Sequence, residues 1–431
     1  MDTSTLPAVR TQPSWLAITA TALGSALEWY DLMLYGLFAV TFSHLFFPVA
    51  DRHSSLSLIA SFGSFGIAMV ARPLGAAWLG SYADRNGRRR GLVLSTMLMT
   101  LGTALLALMP SYATLGPVAS VGIVLSRLTQ GFAAGGEFGT AAAMLSERNP
   151  ARRGLYSSLQ WSASGISITL ASFLAWLLHQ VYSDAQIQAW AWRLPFLLGM
   201  ALGPAITWLR LRADESPEFV RHESHLPLRE ILFTEKRKVV TAAVLMGLGA
   251  AGSYINVYMP TLEMTLLHMK ASQAMIGTIV SSILTIIFPP LCALLGDLVD
   301  RRRLMMACAA AGGGLAVPLF MLLVHYPSVV IGILVQSILS VIIYCGYYAN
   351  VPALFAEMFQ SRNRSSGIAV SYALGQLVFG GFTPMIVTIL IDRFHSSIMP
   401  GIYLAIVAIP SILCVFLSRK FIVRPEPGCK K

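Results

Sequence analysis

Charge is what this chain lacks. Only 12% of its 431 residues are Asp, Glu, Lys or Arg, where a soluble domain carries roughly a quarter. A chain this poor in charge has no means of covering a water-facing surface. Cysteine is also scarce: there are five, with no CxxC pair. Cys292, Cys308, Cys345 and Cys414 lie in apolar runs and Cys429 in the tail, which excludes a disulfide framework and reads as small buried hydrophobes. No GxxxxGK[ST] occurs, so nothing in the sequence supports a nucleotide-driven pump. No GxSxG or HExxH occurs either, which argues against an enzyme. His222 and His225 flank an HESH in a polar stretch with the wrong spacing, so neither metal nor cofactor is expected.

Apolar residues are abundant, at 55% with a mean hydropathy of +0.66. At about 20 residues per span there is room for roughly a dozen transmembrane helices. Apolar segments place twelve: 15–40, 55–80, 91–110, 117–143, 154–178, 191–211, 238–260, 273–297, 304–325, 328–356, 366–391 and 398–418. The first is too long for a cleaved signal and counts as a span. The longest polar stretch, 212–237, divides the chain into halves at 1–211 and 238–431. With the N-terminus in the cytoplasm, 25 Lys and Arg fall on inner segments and three outside. That bias predicts both termini cytoplasmic in a multi-pass protein, and it accounts for the net charge of +11 without nucleic acid.

An internal repeat supports two halves of six helices. GSYADRNGRRR (80–90) follows helix 2, and GDLVDRRR (296–303) follows helix 8. Gly80, Asp84 and Arg85 match Gly296, Asp300 and Arg301, each 216 residues apart. The second copy lacks the Asn86-Gly87 pair. Two six-helix halves with a substrate site between them at the midplane are the build of one large transporter class.

GxxxDRxGRR between helices 2 and 3, with RLTQG (127–131) in helix 4, resembles the signatures of the major facilitator superfamily. LEWYD (27–31), ARPLGA (71–76), RLTQGFAAGGEFG (127–139), WRLPF (192–196), DESPEF (214–219) and RSSGIAVSYALG (364–375) resemble its metabolite–proton symporter family. FGGFTP (379–384) and SYINVYMPTLEM are most similar to the citrate and tricarballylate symporters, although the shortened DRRR departs from them. The resemblance implies an all-α membrane fold of twelve helices and proton-coupled symport of a small carboxylate across a bacterial inner membrane. Its implied partners are that carboxylate, the proton and membrane lipid, with the chain a monomer and no cofactor. Proline, betaine, 2-oxoglutarate and shikimate are the alternative substrates.

Charge inside a span costs about 2.5–3.5 kcal/mol per residue on insertion scales. The first half holds Glu28, Asp31, Arg72, Arg127 and Glu137 within its spans, so these must pair or line an aqueous cavity. Three acids against two bases leaves one acid to take up a proton. Asp31 lies about 14 Å below the outer end of helix 1 and Arg127 about 15 Å down helix 4, so the two are level. Sugar–proton symporters of the superfamily use this pair, which implies coupling by Asp31 and Arg127. Glu28, one turn away, is the other candidate proton carrier. Arg72 and Glu137 match in depth near the inner face and are expected to form a structural bridge. Gly131 and Gly135 make a GxxxG for close helix packing.

The second half contributes polar but uncharged groups. The cavity-lining helices of the superfamily favour Tyr254, Asn256, Tyr258, Tyr347 and Asn350 as substrate ligands, together with Arg127 and Gln160. The loop residues Asp84, Arg85, Arg88, Arg89, Asp300 and Arg301 are the expected cytoplasmic gate, where Asp84 and Asp300 would cap the N-termini of helices 11 and 5.

Overall fold

A computed structural model describes residues 15–48, 56–148, 152–213, 235–359 and 364–422. Its first-half helices are α1 (Trp15–Leu37, continued by Ala39–Phe46), α2 (Leu56–Asn86), α3 (Arg88–Ala107), α4 (Pro117–Arg148), α5 (Arg153–Val181) and α6 (Arg193–Arg212). The second half holds α7 (Lys236–Leu245 and Gly247–Thr265), α8 (Ala271–Leu298), α9 (Arg301–His325) and α10 (Val329–Leu339, continued to Met358). It ends with α11 (Arg364–Phe379 and Thr383–Phe394) and α12 (Met399–Leu417). Among the described residues ten helices are long and apolar enough to cross a membrane. The two that fall short are α1 and α4, and these carry Glu28, Asp31, Arg127 and Glu137. Most of the linker 212–237 lies outside the described residues.

Each helix is apolar over much of its circumference because both protein and lipid sides are dry. Leu74, Trp78, Leu101, Ile287, Ile409 and Phe416 are exposed on the outside of the bundle, where hydrocarbon chains would cover them. Within the first half α4 lies directly on α2. A Cβ at Gly131 would stand 1.8 Å from the Ala68 carbonyl oxygen, and one at Gly135 would stand 2.1 Å from that of Arg72. The GxxxG therefore works as a backbone contact. Across the halves α5 packs along α8, and α2 along α11.

The two copies of the repeated loop turn differently. Gly87 takes φ +106° between α2 and α3, a conformation that favours glycine. At the other copy Asp300 has φ −68° and caps α9 itself, its carboxylate accepting from the Arg302 amide at 3.0 Å. No positive φ is needed there, which is why DRRR dispenses with the Asn-Gly pair.

Helix α10 departs from α-geometry where it crosses the centre. It is a π-helix over Ser340–Tyr347 and a 3₁₀ turn over Tyr348–Asn350 before Val351–Met358 resumes. Such wide turns concentrate at functional sites.

Candidate functional site

The buried charges of the first half form three separate groups. In the first, Arg72 of α2 pairs with Glu28 of α1, both within 5% of full burial. The expected Arg72–Glu137 bridge does not form. Glu137 instead pairs with Arg210 of α6. That guanidinium also donates to the Leu92 carbonyl at 2.6 Å, Thr96 Oγ1 at 2.5 Å and the Ala20 carbonyl at 3.2 Å. Ser95 adds a hydroxyl to Glu137 at 2.8 Å. Arg210 stands one residue from the end of the span 191–211, where the sequence alone reads it as one of the basic residues at the helix end. A side chain with seven carbons and nitrogens beyond Cα reaches well back into the bundle from there, and this one bends over Gly24, whose missing Cβ would lie 1.6 Å from Nη2.

The third group holds Asp31 and Arg127, and they are not in an ion pair. Thr103 donates its hydroxyl to Asp31, and Gln130 Nε2 stands 3.4 Å from the same carboxylate oxygen. Arg127 Nη1 donates to Gln130 Oε1 at 2.5 Å. Its guanidinium lies 4.1 Å from the centre of the Tyr35 ring and 5.5 Å from that of Phe65. Asp31 and Arg127 are neighbours, as their places along the helices imply, but the sequence gives no sign that Gln130 sits between them. With Arg210 included, and Arg88 at the loop end set aside, the described residues of the half hold three buried acids and three buried bases, so no acid is left over by count.

Glu28–Arg72 is the pair that meets the other half. The Arg72 guanidinium lies 5.9 Å from the centre of the Tyr372 ring of α11, and Tyr372 stacks flat on Phe138 of α4 at 3.5 Å. Beside Glu28, Trp29 faces Trp161 of α5 at 6.2 Å, Tyr254 of α7 at 6.3 Å and Tyr344 of α10 at 6.4 Å between ring centres. Trp161 also packs on Tyr348 at 4.4 Å. This aromatic shell spans both halves. Several polar atoms in it are buried with no hydrogen-bond partner: Arg72 Nε and Nη1, Gln160 Oε1, Trp161 Nε1 and the Tyr344 hydroxyl. Unsatisfied buried donors and acceptors on and beside such a shell are what a polar ligand would engage. Two cavities of about 20 Å³, each with room for about one water, lie alongside and share Asn256 and Tyr344 in their walls.

The remaining expected ligands divide. Tyr254 reaches Met69 Sδ at 3.5 Å across the halves, and Tyr258 packs on Phe62 at 5.5 Å. Asn256 donates to Ser340 Oγ at 2.7 Å at the cavity wall. Tyr347 and Asn350 are elsewhere. The Tyr347 hydroxyl bonds the Leu245 carbonyl, and Asn350 Nδ2 bonds the Gly346 carbonyl at 3.0 Å within its own helix. Tyr344 and Tyr348 take their place in the shell.

At the end of the bundle that holds the repeated loops, the side chains of Asp84 and Arg85 lie outside the described residues. Arg88 is buried, and Arg89 donates to the carbonyls of Leu211 and Ala213 at 3.4 and 3.3 Å, binding the C-terminal end of α6. Among the described residues Asp300 makes no contact with helix 5. The acid that does is Asp297, one turn earlier, whose Oδ2 accepts from the Leu155 amide in the first turn of α5 at 3.3 Å. Arg301 holds it there by pairing with both Asp297 and Glu357.

Glu263 was not among the expected residues. Its span was taken to end at Pro260, but α7 continues through that proline to Thr265 and carries Glu263 inside, at 1% exposure.

The family described as "Sugar (and other) transporter" matches residues 17–227, and that described as "Major Facilitator Superfamily" matches 264–430. The citrate-proton symporter of Klebsiella pneumoniae is 33% identical over 94% of this chain and 92% of its own length. The shikimate transporter of Escherichia coli K12 is 32% identical over 87% of each, and the proline/betaine transporter of that strain 28% identical over 96% and 85%. Among solved structures, a D-xylose-proton symporter superposes with a TM-score of 0.75 over 95% of this chain and 98% of its own, at 17% identity. Full-length likeness to such carriers and the same arrangement of helices lead to one conclusion: the chain is a multi-pass membrane protein belonging to the major facilitator superfamily.

Proposed function

We propose that the chain is a proton-coupled symporter of a small carboxylate, with Arg72 as the substrate's cation and Glu28 as the group that exchanges a proton for it. The observation that carries this reading is the Glu28–Arg72 pair, set among unpartnered donors where the two halves meet. Arg72 spends Nη2 on Glu28 and leaves Nε and Nη1 unused; once Glu28 lets go, Nη2 joins either of them in the two parallel N–H bonds by which guanidinium binds a carboxylate. Protonation of Glu28 removes its claim on Arg72 and leaves the guanidinium to the substrate. Loss of substrate on the far side returns Arg72 to Glu28 and expels the proton. Trp161 Nε1, Tyr344 and Gln160 supply hydrogen bonds to the rest of the molecule. Asp31 and Arg127, joined through Gln130, have the supporting role of holding α1 against α3 and α4. Uptake runs into the cell, with both termini and the loops at Arg88 and Arg301 on the cytoplasmic side and the halves rocking about the site.

The test is paired uptake and counterflow in proteoliposomes with labelled citrate, 2-oxoglutarate, shikimate, proline and betaine. One carboxylate should be concentrated by an inward proton gradient without Na⁺. Glu28→Gln should cut accumulation at least tenfold while exchange continues, and Arg72→Lys should lose both, since an ammonium does not reproduce the two-pronged contact. Full accumulation by Glu28→Gln removes the assignment. A second reading, a zwitterionic osmolyte, is favoured by one feature: Trp29, Trp161, Tyr344 and Tyr348 form the kind of aromatic wall that receives a quaternary ammonium. Betaine outcompeting every carboxylate in the same panel would establish it.

A further inference from the structure

The second half contains one buried acid that the exchange at Arg72 does not use. Glu263, in the last turn of α7, accepts from Gln336 Nε2 of α10 at 3.0 Å, and Gln336 Oε1 accepts from Thr278 of α8 at 3.0 Å. Every bonded partner in this chain is neutral. Among the described residues Glu263 makes no ion pair. The nearest bases along the chain, His268 and Lys270, are exposed beyond the helix end. Two glycines make the space. A Cβ at Gly332 would stand 2.8 Å from Glu263 Oε1, and one at Gly277 would stand 2.4 Å from Gln336 Nε2. The recess is shaped to the carboxyl and its amide partner.

An ionised carboxylate with only neutral partners is costly to bury, whereas the acid form needs no counter-charge. Glu263 is therefore suited to being sealed in only when it carries a proton. Gln336 also lines the small cavity shared with Asn256, Ser340 and Tyr344, and Asn256 bonds Ser340 and stands 3.5 Å from Ser281. Polar groups thus run from Glu263 to the edge of the aromatic shell, with a cavity of one-water size between them.

We propose that Glu263 is a second proton-carrying site, loaded near the outer end of α7 and emptied through this polar run when the inner side opens. Each cycle then brings two protons with the substrate. The inference rests on the proton-coupled reading above, and the two fail differently: without proton coupling the wild type concentrates nothing.

The experiment measures equilibrium accumulation in proteoliposomes with the membrane voltage clamped at zero and a tenfold inward proton gradient. The labelled probe is whichever carboxylate of the panel gives the fastest counterflow. Two protons per substrate give about 100-fold accumulation and one gives about tenfold. Wild type should reach the higher value and Glu263→Gln the lower, with counterflow intact. A direct count needs no variant: a pH dye trapped with wild-type protein should register two protons per substrate. One proton per substrate in the wild type, or undiminished accumulation by Glu263→Gln, overturns the proposal.

Discussion

Arg72 and Arg210 are the same residue in equally buried places, and the number of donors each has committed separates their uses. All of Arg210's nitrogens are bonded, to Glu137, Thr96 and the carbonyls of Ala20, Thr21 and Leu92. A guanidinium so fully satisfied has nothing left for a ligand and fastens α1, α3, α4 and α6 together. Removing one partner of such a pair leaves a buried charge, which costs about 3–5 kcal/mol. Arg210→Met should therefore lower the thermal stability of the purified protein by an amount in that range. Adding Glu137→Met should restore most of it, because an apolar pair of similar volume leaves no stranded charge. A double variant as unstable as the single one would mean that Arg210 acts through packing alone.

At the scale of the element, α10 decides which tyrosines face the substrate. The resemblance to the superfamily implies Tyr347 and Asn350 as lining residues of this helix, and residues that share one face of a regular helix recur every 3.6 positions. The π-helix at Ser340–Tyr347 fits extra backbone into the turn and shifts the phase, so Tyr344 and Tyr348 face the shell instead. The prediction is a separation of effects. Tyr344→Phe should weaken substrate binding about five- to tenfold at unchanged stability, the worth of about one hydrogen bond. Tyr347→Phe should leave affinity alone and cost about 1 kcal/mol of stability by freeing the Leu245 carbonyl. Titration of tryptophan fluorescence and thermal unfolding read the two quantities.

The same contrast marks what was legible. The helices, the repeat, the GxxxG and the presence of intramembrane charge follow from composition and period, and the structure holds all of them. Partners did not follow, because pairing depends on azimuth as well as depth. Glu28 finds Arg72, and Glu137 finds an arginine assigned to the helix end. Glu263 was missed for a local reason, since a proline that ends helices in water is tolerated within a membrane helix.

For the whole molecule, Asp297 is a contact that ties one half to the other at the end of the bundle that holds the repeated loops. Its carboxylate meets the amide end of α5, where negative charge is stabilised, and Arg301 with Glu357 keeps it aimed. Asp297→Asn should weaken that latch and favour opening to the cytoplasm. A cysteine placed in the inner path should then react faster with a membrane-impermeant maleimide added from the cytoplasmic side, while equilibrium substrate affinity stays within a few fold. An affinity loss as large as that of Arg72→Lys would make Asp297 part of the site and not a latch.

Leaving aside Arg88 at the loop end, the even count of three buried acids and three buried bases among the described residues of the first half has an electrical consequence. A charge carried across the membrane field gains or loses about 2.3 kcal/mol per 100 mV. Glu28, Asp31 and Glu137 cancel Arg72, Arg127 and Arg210, so the empty half presents no net charge for the field to push. The membrane potential then has little hold on this half during the return of the unloaded carrier, and whatever hold it has on that step comes through Glu263 in the other half. On the loaded step it acts through whatever charge the substrate and its protons leave uncancelled.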